Sequence, residues 1–290
     1  MINKSKLTLI IIVLLFANLL IFSVSAQVKE LKSADGVKIV CTVEGKGDIA
    51  LLFIHGWCCN KSYWEYQIPT FSKKYQVVAV DLAGHGDSGL NRKEWTMEAF
   101  GQDVIAVVKG LKLKKVILIG HSMGGIVMVE AAKQLTENVR GLIGVDTLAN
   151  VEQKFTEEQF NAFIAPMRKD FKKGTEIFLR SIMFTEKTDT ALRERIVKDM
   201  CDCPPTVGLN SWEHMFHYDL PNAMDEVKAH IRCINSDKFP NNIEAGKRHA
   251  ASFEVKFIKG WGHFIMMEDP QTFNKLLEET IQELLKINVK

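Results

Sequence analysis

The chain has 290 residues, with 37 basic and 35 acidic side chains and a formal net charge of +2. So even a balance excludes a nucleic acid or other polyanion held by a basic surface, and a hydrophobic content of 47% excludes a disordered chain. The length suits one large α/β unit that buries its core without covalent staples.

Lys4 and Lys6 precede an apolar run over residues 7–22, and Ser23-Val24-Ser25-Ala26 sets small residues where a signal peptidase cuts. This pattern predicts a signal peptide over 1–26 and an exported chain, periplasmic or secreted, over 27–290. The alternative is an uncleaved membrane anchor, because the apolar run approaches the roughly 18 to 20 residues a span needs. A membrane contact is expected only in that second case.

Strand-like runs follow at 37–43, 49–54, 76–80, 116–119, 142–145, 231–234 and 253–258. Several are continuously apolar, as strands buried on both faces are. Helical patterns lie at 97–111, 125–135 and 271–285, the last with apolar positions at Phe273, Leu276, Leu277, Ile281, Leu284 and Leu285. The alternation predicts an α/β fold with a mostly parallel, doubly wound sheet. The rhythm breaks at about 151–224, which has no strand pattern and is rich in large apolar residues: Phe155, Phe160, Phe163, Ile164, Phe171, Ile177, Phe178, Ile182, Met183, Phe184, Trp212, Met215 and Phe216. That stretch is read as a helical lid of about four short helices over the carboxyl ends of the strands, where functional loops gather.

Gly120-His121-Ser122-Met123-Gly124 follows one strand run and opens a helical one. In that setting G-x-S-x-G forms a strained turn that lifts the serine hydroxyl above the sheet and aims a helix amino end at it. A serine needs a base, and His263, in Gly260-Trp261-Gly262-His263-Phe264 between the last strand and the last helix, can return to it. A carboxylate should then orient the imidazole. Asp237, at the end of the 231–234 strand, is the favoured acid; Asp146, at the end of the 142–145 strand, also stands between serine and histidine and is the alternative. The backbone N–H groups of Met123 and Trp57 are expected to hold an oxyanion, with Gly56 allowing close backbone approach.

These residues resemble the α/β-hydrolase superfamily. His55-Gly56-Trp57 is similar to its oxyanion loop, Gly120 to Gly124 to its nucleophile elbow, Gly262-His263-Phe264 to its histidine loop, and Asp81-Leu82-Ala83-Gly84-His85-Gly86-Asp87-Ser88 to its D-x-x-G-x-G-x-S turn. Relatives that resemble epoxide hydrolases or haloalkane dehalogenases carry Asp at the elbow, whereas this chain has Ser122. The resemblance therefore implies a serine hydrolase of the carboxylesterase kind that cleaves a small-molecule ester, or a related thioester, lactone or amide, through an acyl-enzyme. The alternatives are acyl transfer or perhydrolysis by the same residues, and a small-molecule sensor built on a hydrolase fold, since a fold alone does not choose among functions.

Six cysteines remain. Cys41 and Cys233 lie in strand-like runs and read as small buried hydrophobes. Cys58-Cys59 and Cys201-Asp202-Cys203 either bridge in an oxidising compartment or sit reduced near the reacting serine, and six cysteines allow fifteen pairings. Neither pair has zinc-like spacing with nearby histidines, so no metal and no cofactor is expected.

Overall fold

The computed structural model describes residues 26–287, and the expected signal segment, apart from its final Ala26, lies outside them. Among the described residues eight strands form one sheet: β1 (Gln27–Lys32), β2 (Lys38–Glu44), β3 (Ala50–Ile54), β4 (Gln76–Asp81), β5 (Val116–His121), β6 (Val139–Val145), β7 (Ile231–Ser236) and β8 (Phe253–Ile258). Their order is β1-β2-β4-β3-β5-β6-β7-β8. The pairs β1–β2 and β2–β4 are antiparallel, and every other pair is parallel.

Central strands carry the continuous apolar runs. All of Ala-Leu-Leu-Phe-Ile in β3 and all of β5 are buried, because helices cover the sheet on both faces. The edge strand β1, Gln-Val-Lys-Glu-Leu-Lys, is exposed at five of six positions and has no apolar periodicity, which is why its sequence does not announce a strand.

The helices are α1 (Ile68–Phe71), α2 (Met97–Gly110), α3 (Met123–Gln134), α4 (Glu157–Lys169), α5 (Phe171–Phe178), α6 (Thr190–Cys201), α7 (Pro205–His217), α8 (Leu220–Asp225), α9 (Ile243–Arg248), α10 (Ile265–Glu268) and α11 (Pro270–Ile287). Thr96 starts α2 by accepting from the Ala99 N–H, and its buried face carries Met97, Phe100, Val104 and Val108. On α11 the buried stripe Phe273, Leu277, Ile281 and Leu284 repeats at helical spacing, as its sequence requires. Among the described residues no helix is long and apolar enough to cross a membrane.

Helices α4 to α8, with a π-helical turn at Leu179–Met183, all lie between β6 and β7. This is one helix more than the four expected. Asp170 accounts for the extra break: it ends α4 in an extended conformation, and its carboxylate then accepts from the Lys173 N–H to start α5. An aromatic cluster joins this insertion to the sheet. The Trp57 ring meets Phe171, Phe178 and Trp212, and its indole N–H donates to the Gly208 carbonyl of α7 at 2.8 Å.

Candidate active site

Ser122 occupies the single position between β5 and α3, with φ 52° and ψ −119°. A non-glycine residue holds such a backbone only when its surroundings enforce it. Here they do: a Cβ on Gly120 would lie 2.2 Å from the Gly124 carbonyl oxygen, and one on Gly124 would lie 2.6 Å from the oxygens of Ile54 and His55. Both flanking glycines are therefore steric requirements of the turn. The Ser122 N–H donates to the Val145 carbonyl at 3.1 Å, and the Thr147 hydroxyl donates to the Ser122 carbonyl at 2.8 Å.

His263 stands in the loop between β8 and α10, where its own N–H donates to the Met183 carbonyl of the insertion at 2.8 Å. Its Nδ1 lies 2.6 Å from Oδ2 of Asp146. A carboxylate facing Nδ1 assigns the proton to that nitrogen and leaves Nε2 as the basic one. The other Asp146 oxygen accepts from the Ser236 N–H at 2.8 Å, so both oxygens are engaged.

This corrects the expectation for the acid. Asp237 is exposed, and its Oδ1 accepts from the Gly260 N–H at 2.7 Å and holds the loop that follows β8. Register supplies the reason. His121 pairs with Val145 across β5 and β6, so Ser122 and Asp146 each follow the last residue of adjacent strands. Asp237 follows β7, one strand farther out, and comes three residues after Ile234, the partner of Val145.

The loop after β3 also meets the serine. A Cβ on Gly56 would stand 3.1 Å from the Ser122 Cβ and 2.9 Å from His121 Nδ1, so only glycine lets the backbone run this close. Trp57 and Met123, the expected oxyanion donors, are both buried beside it.

Sequence reasoning passed over several supports. Asn235 accepts from the Thr147 N–H and donates to the Thr147 carbonyl, and the Ser236 hydroxyl donates to the Trp261 carbonyl at 2.7 Å. The Asn235-Ser236 pair thus fixes the loops carrying Asp146 and His263. His121 Nε2 lies 2.9 Å from the His263 carbonyl oxygen, and burial holds the His121 ring far below its ordinary pKa, with the nearby His263 adding to the shift. It stays neutral and donates. Burial likewise lowers His55 to about 4, so it serves as a neutral link from the Leu82 N–H to the Gly56 carbonyl. Glu268, whose carboxyl burial pushes up, receives the Phe264 N–H and the Thr188 hydroxyl beneath the histidine loop. Polar residues of these types mark no spacing that a sequence reading can use.

Gly56, Trp57, Ser122 and His263 line a chamber of about 80 Å³ whose remaining walls include Phe178, Met183, Met200, Trp212 and Met215. A larger groove of about 890 Å³ shares Phe178, Met183, Trp212 and Met215 and continues past Phe160, Phe216 and Leu220. The insertion therefore forms the apolar wall common to both spaces.

Comparison with known proteins agrees with this architecture. The alpha/beta hydrolase family matches residues 51–276. An AB hydrolase superfamily protein of Bacillus subtilis, YisY, is 35% identical over 245 residues, which span 79% of this chain and 90% of that one. Epoxide hydrolase 3 of Xenopus tropicalis is 23% identical over 264 residues, covering 80% of this chain and 71% of its own. A thermophilic esterase from Thermogutta terrifontis superposes with a TM-score of 0.77 at 21% identity, covering 89% of this chain and 99% of the esterase. With the glycine-bounded serine turn, the histidine loop and the mostly parallel sheet, these matches establish that the chain belongs to the alpha/beta hydrolase family.

Proposed function

We propose that this protein is a serine hydrolase that cleaves a small carboxylic ester, or a closely related acyl compound, through an acyl-enzyme on Ser122. The observation that carries the reading is the 2.6 Å contact between His263 Nδ1 and Asp146, in a site where His263 and Ser122 face the same chamber. His263 Nε2 takes the Ser122 proton as Oγ attacks the carbonyl, and Asp146 stabilises the imidazolium that forms. The N–H groups of Met123, at the head of α3, and of Trp57 hold the oxyanion. His263 then protonates the departing alcohol, and water repeats the sequence to free the acid.

Serine at the elbow favours acyl substrates over epoxides. Attack of a serine oxygen on an epoxide carbon would leave an ether, which water and this machinery cannot cleave, whereas an acyl-serine is readily hydrolysed. The small chamber suits a short group at the reacting carbonyl, and its Phe, Met and Trp walls favour an apolar one.

The test is covalent labelling with a fluorophosphonate, followed by peptide mapping and turnover of p-nitrophenyl esters. One adduct on Ser122, absent from Ser122→Ala, with steady turnover of the acetyl or butyryl ester, is the expected result. Absence of labelling on folded protein, or a single turnover without a steady rate, overturns the proposal.

A further inference from the structure

A second group of chemically capable side chains lies beside the chamber and takes no part in the reaction proposed above. Cys58, His85 and Cys203 each present a ligand atom within 4.8 Å of the other two. They come from three separate segments: the loop after β3, the turn after β4, and the turn between α6 and α7. All three are buried, at 4%, 4% and 8% exposure, and none of the six cysteines is in a disulfide.

The histidine points to a ligand independently of the thiols. His85 Nδ1 lies 2.9 Å from the Ala83 carbonyl, which places the proton on Nδ1, while its buried Nε2 has no hydrogen-bond partner. An imidazole anchored through one nitrogen to a backbone carbonyl, with the other lone pair bare, is the arrangement by which proteins orient a metal-binding histidine. Two buried sulfurs stand beside that nitrogen.

We propose that Cys58, His85 and Cys203 bind one thiophilic closed-shell cation of the zinc(II) or copper(I) class. Sulfur and imidazole donors select such ions over hard cations. Binding exchanges the two thiol protons for the metal: two S–H bonds break, two metal–sulfur bonds form, and two protons go to solvent, with no change of oxidation state. Two thiolates neutralise zinc(II) in this buried setting, and three soft donors satisfy copper(I).

The position gives the site a structural consequence. Cys58 directly follows Trp57, whose indole already reaches the Gly208 carbonyl, and Cys203 stands two residues before α7. A bound cation would bolt the helical insertion to the loop that carries Trp57. Motif spacing conceals the site, because no two of its ligands are close in sequence, and a cation bound there would run against the expectation of no metal.

The experiment is an anaerobic titration of the reduced, metal-free full chain with zinc(II) against a chromophoric chelator, with buffered copper(I) in a parallel arm and cobalt(II) as a spectroscopic probe. One equivalent of zinc(II) or copper(I) is expected, with thiolate-to-metal charge-transfer absorption for cobalt(II) and a rise in thermal midpoint on loading. The affinity should fall at least about tenfold in Cys203→Ser and in His85→Gln and be unchanged in Cys41→Ala. Failure of the reduced wild-type chain to bind either cation stoichiometrically would overturn the site. So would unchanged affinity in folded Cys203→Ser and His85→Gln, or a Cys58–Cys203 disulfide in peptide maps of the alkylated, unreduced protein.

Discussion

Ser122 and Asp146 hold φ values of 52° and 44°, the left-handed region that costs a non-glycine residue on the order of 1–3 kcal/mol. Both directly follow the last residue of neighbouring parallel strands, so the strain aims two side chains at the same space above the sheet. Asp146 uses one oxygen on the Ser236 N–H and the other on His263, which leaves it no freedom to rotate away. Replacing it by Asn keeps the shape but favours the wrong histidine tautomer. Asp146→Asn is therefore expected to lower kcat about 10³- to 10⁴-fold with little change in fold. Asp237→Asn, which loosens only the exposed contact to Gly260, should leave kcat/KM within about threefold. Steady-state kinetics of the two variants on p-nitrophenyl acetate check this, and equal losses would refute the assignment of the acid.

At the level of elements, a buried ion pair fastens α2 to the sheet edge. Arg92 Nη2 lies 2.6 Å from Asp103 on α2, and Asp103 also accepts from the Ser33 hydroxyl and the Ala83 N–H. The same guanidinium reaches Asp35 in the β1–β2 connection. Burial pushes the Asp103 carboxyl up, opposed mainly by Arg92. Removing the arginine leaves a buried carboxylate without its partner, a change that costs about 3–5 kcal/mol for such pairs. A raised folded pKa means that the folded chain takes up the proton before the unfolded chain does. Without Arg92 the Asp103 carboxyl rises further, so the stability deficit of Arg92→Ala should be larger at pH 7 and shrink as pH falls and Asp103 takes up its proton. Urea denaturation of both proteins at pH 7 and pH 5 measures the difference; a deficit that grows at the lower pH would contradict the account.

For the whole molecule, the decisive relation is between the sheet and the helices inserted after β6. Met183 accepts the His263 N–H through its carbonyl, and its side chain lines the chamber, so the insertion both positions His263 and shapes the space around it. Met215 and Trp212 stand in the wall between the 80 Å³ chamber and the 890 Å³ groove. Shortening that wall should join the two spaces. Met215→Ala is expected to raise the octanoyl-to-acetyl ratio of kcat/KM by about tenfold, the scale on which apolar pockets discriminate chain length. Met215→Trp should move the ratio the other way, and an unchanged ratio in both variants would place substrate elsewhere.

Seven of the eight strands, the three long sheet-flanking helices, the glycine-bounded Ser122 turn and the His263 loop were legible in the sequence alone, because each leaves a local trace. Buried parallel strands are continuously apolar, α11 repeats every three to four residues, and the elbow needs glycine at fixed positions. Tertiary structure alone decided between Asp146 and Asp237, since both follow a strand and both fit the chain order; only the register of β5, β6 and β7 separates them. It also decided the strand β1, whose exposed residues alternate in no readable way, and the meeting of Cys58, His85 and Cys203 from three segments. Local pattern records which face of an element is buried, whereas which strand ends stand side by side depends on the order in which the sheet assembles.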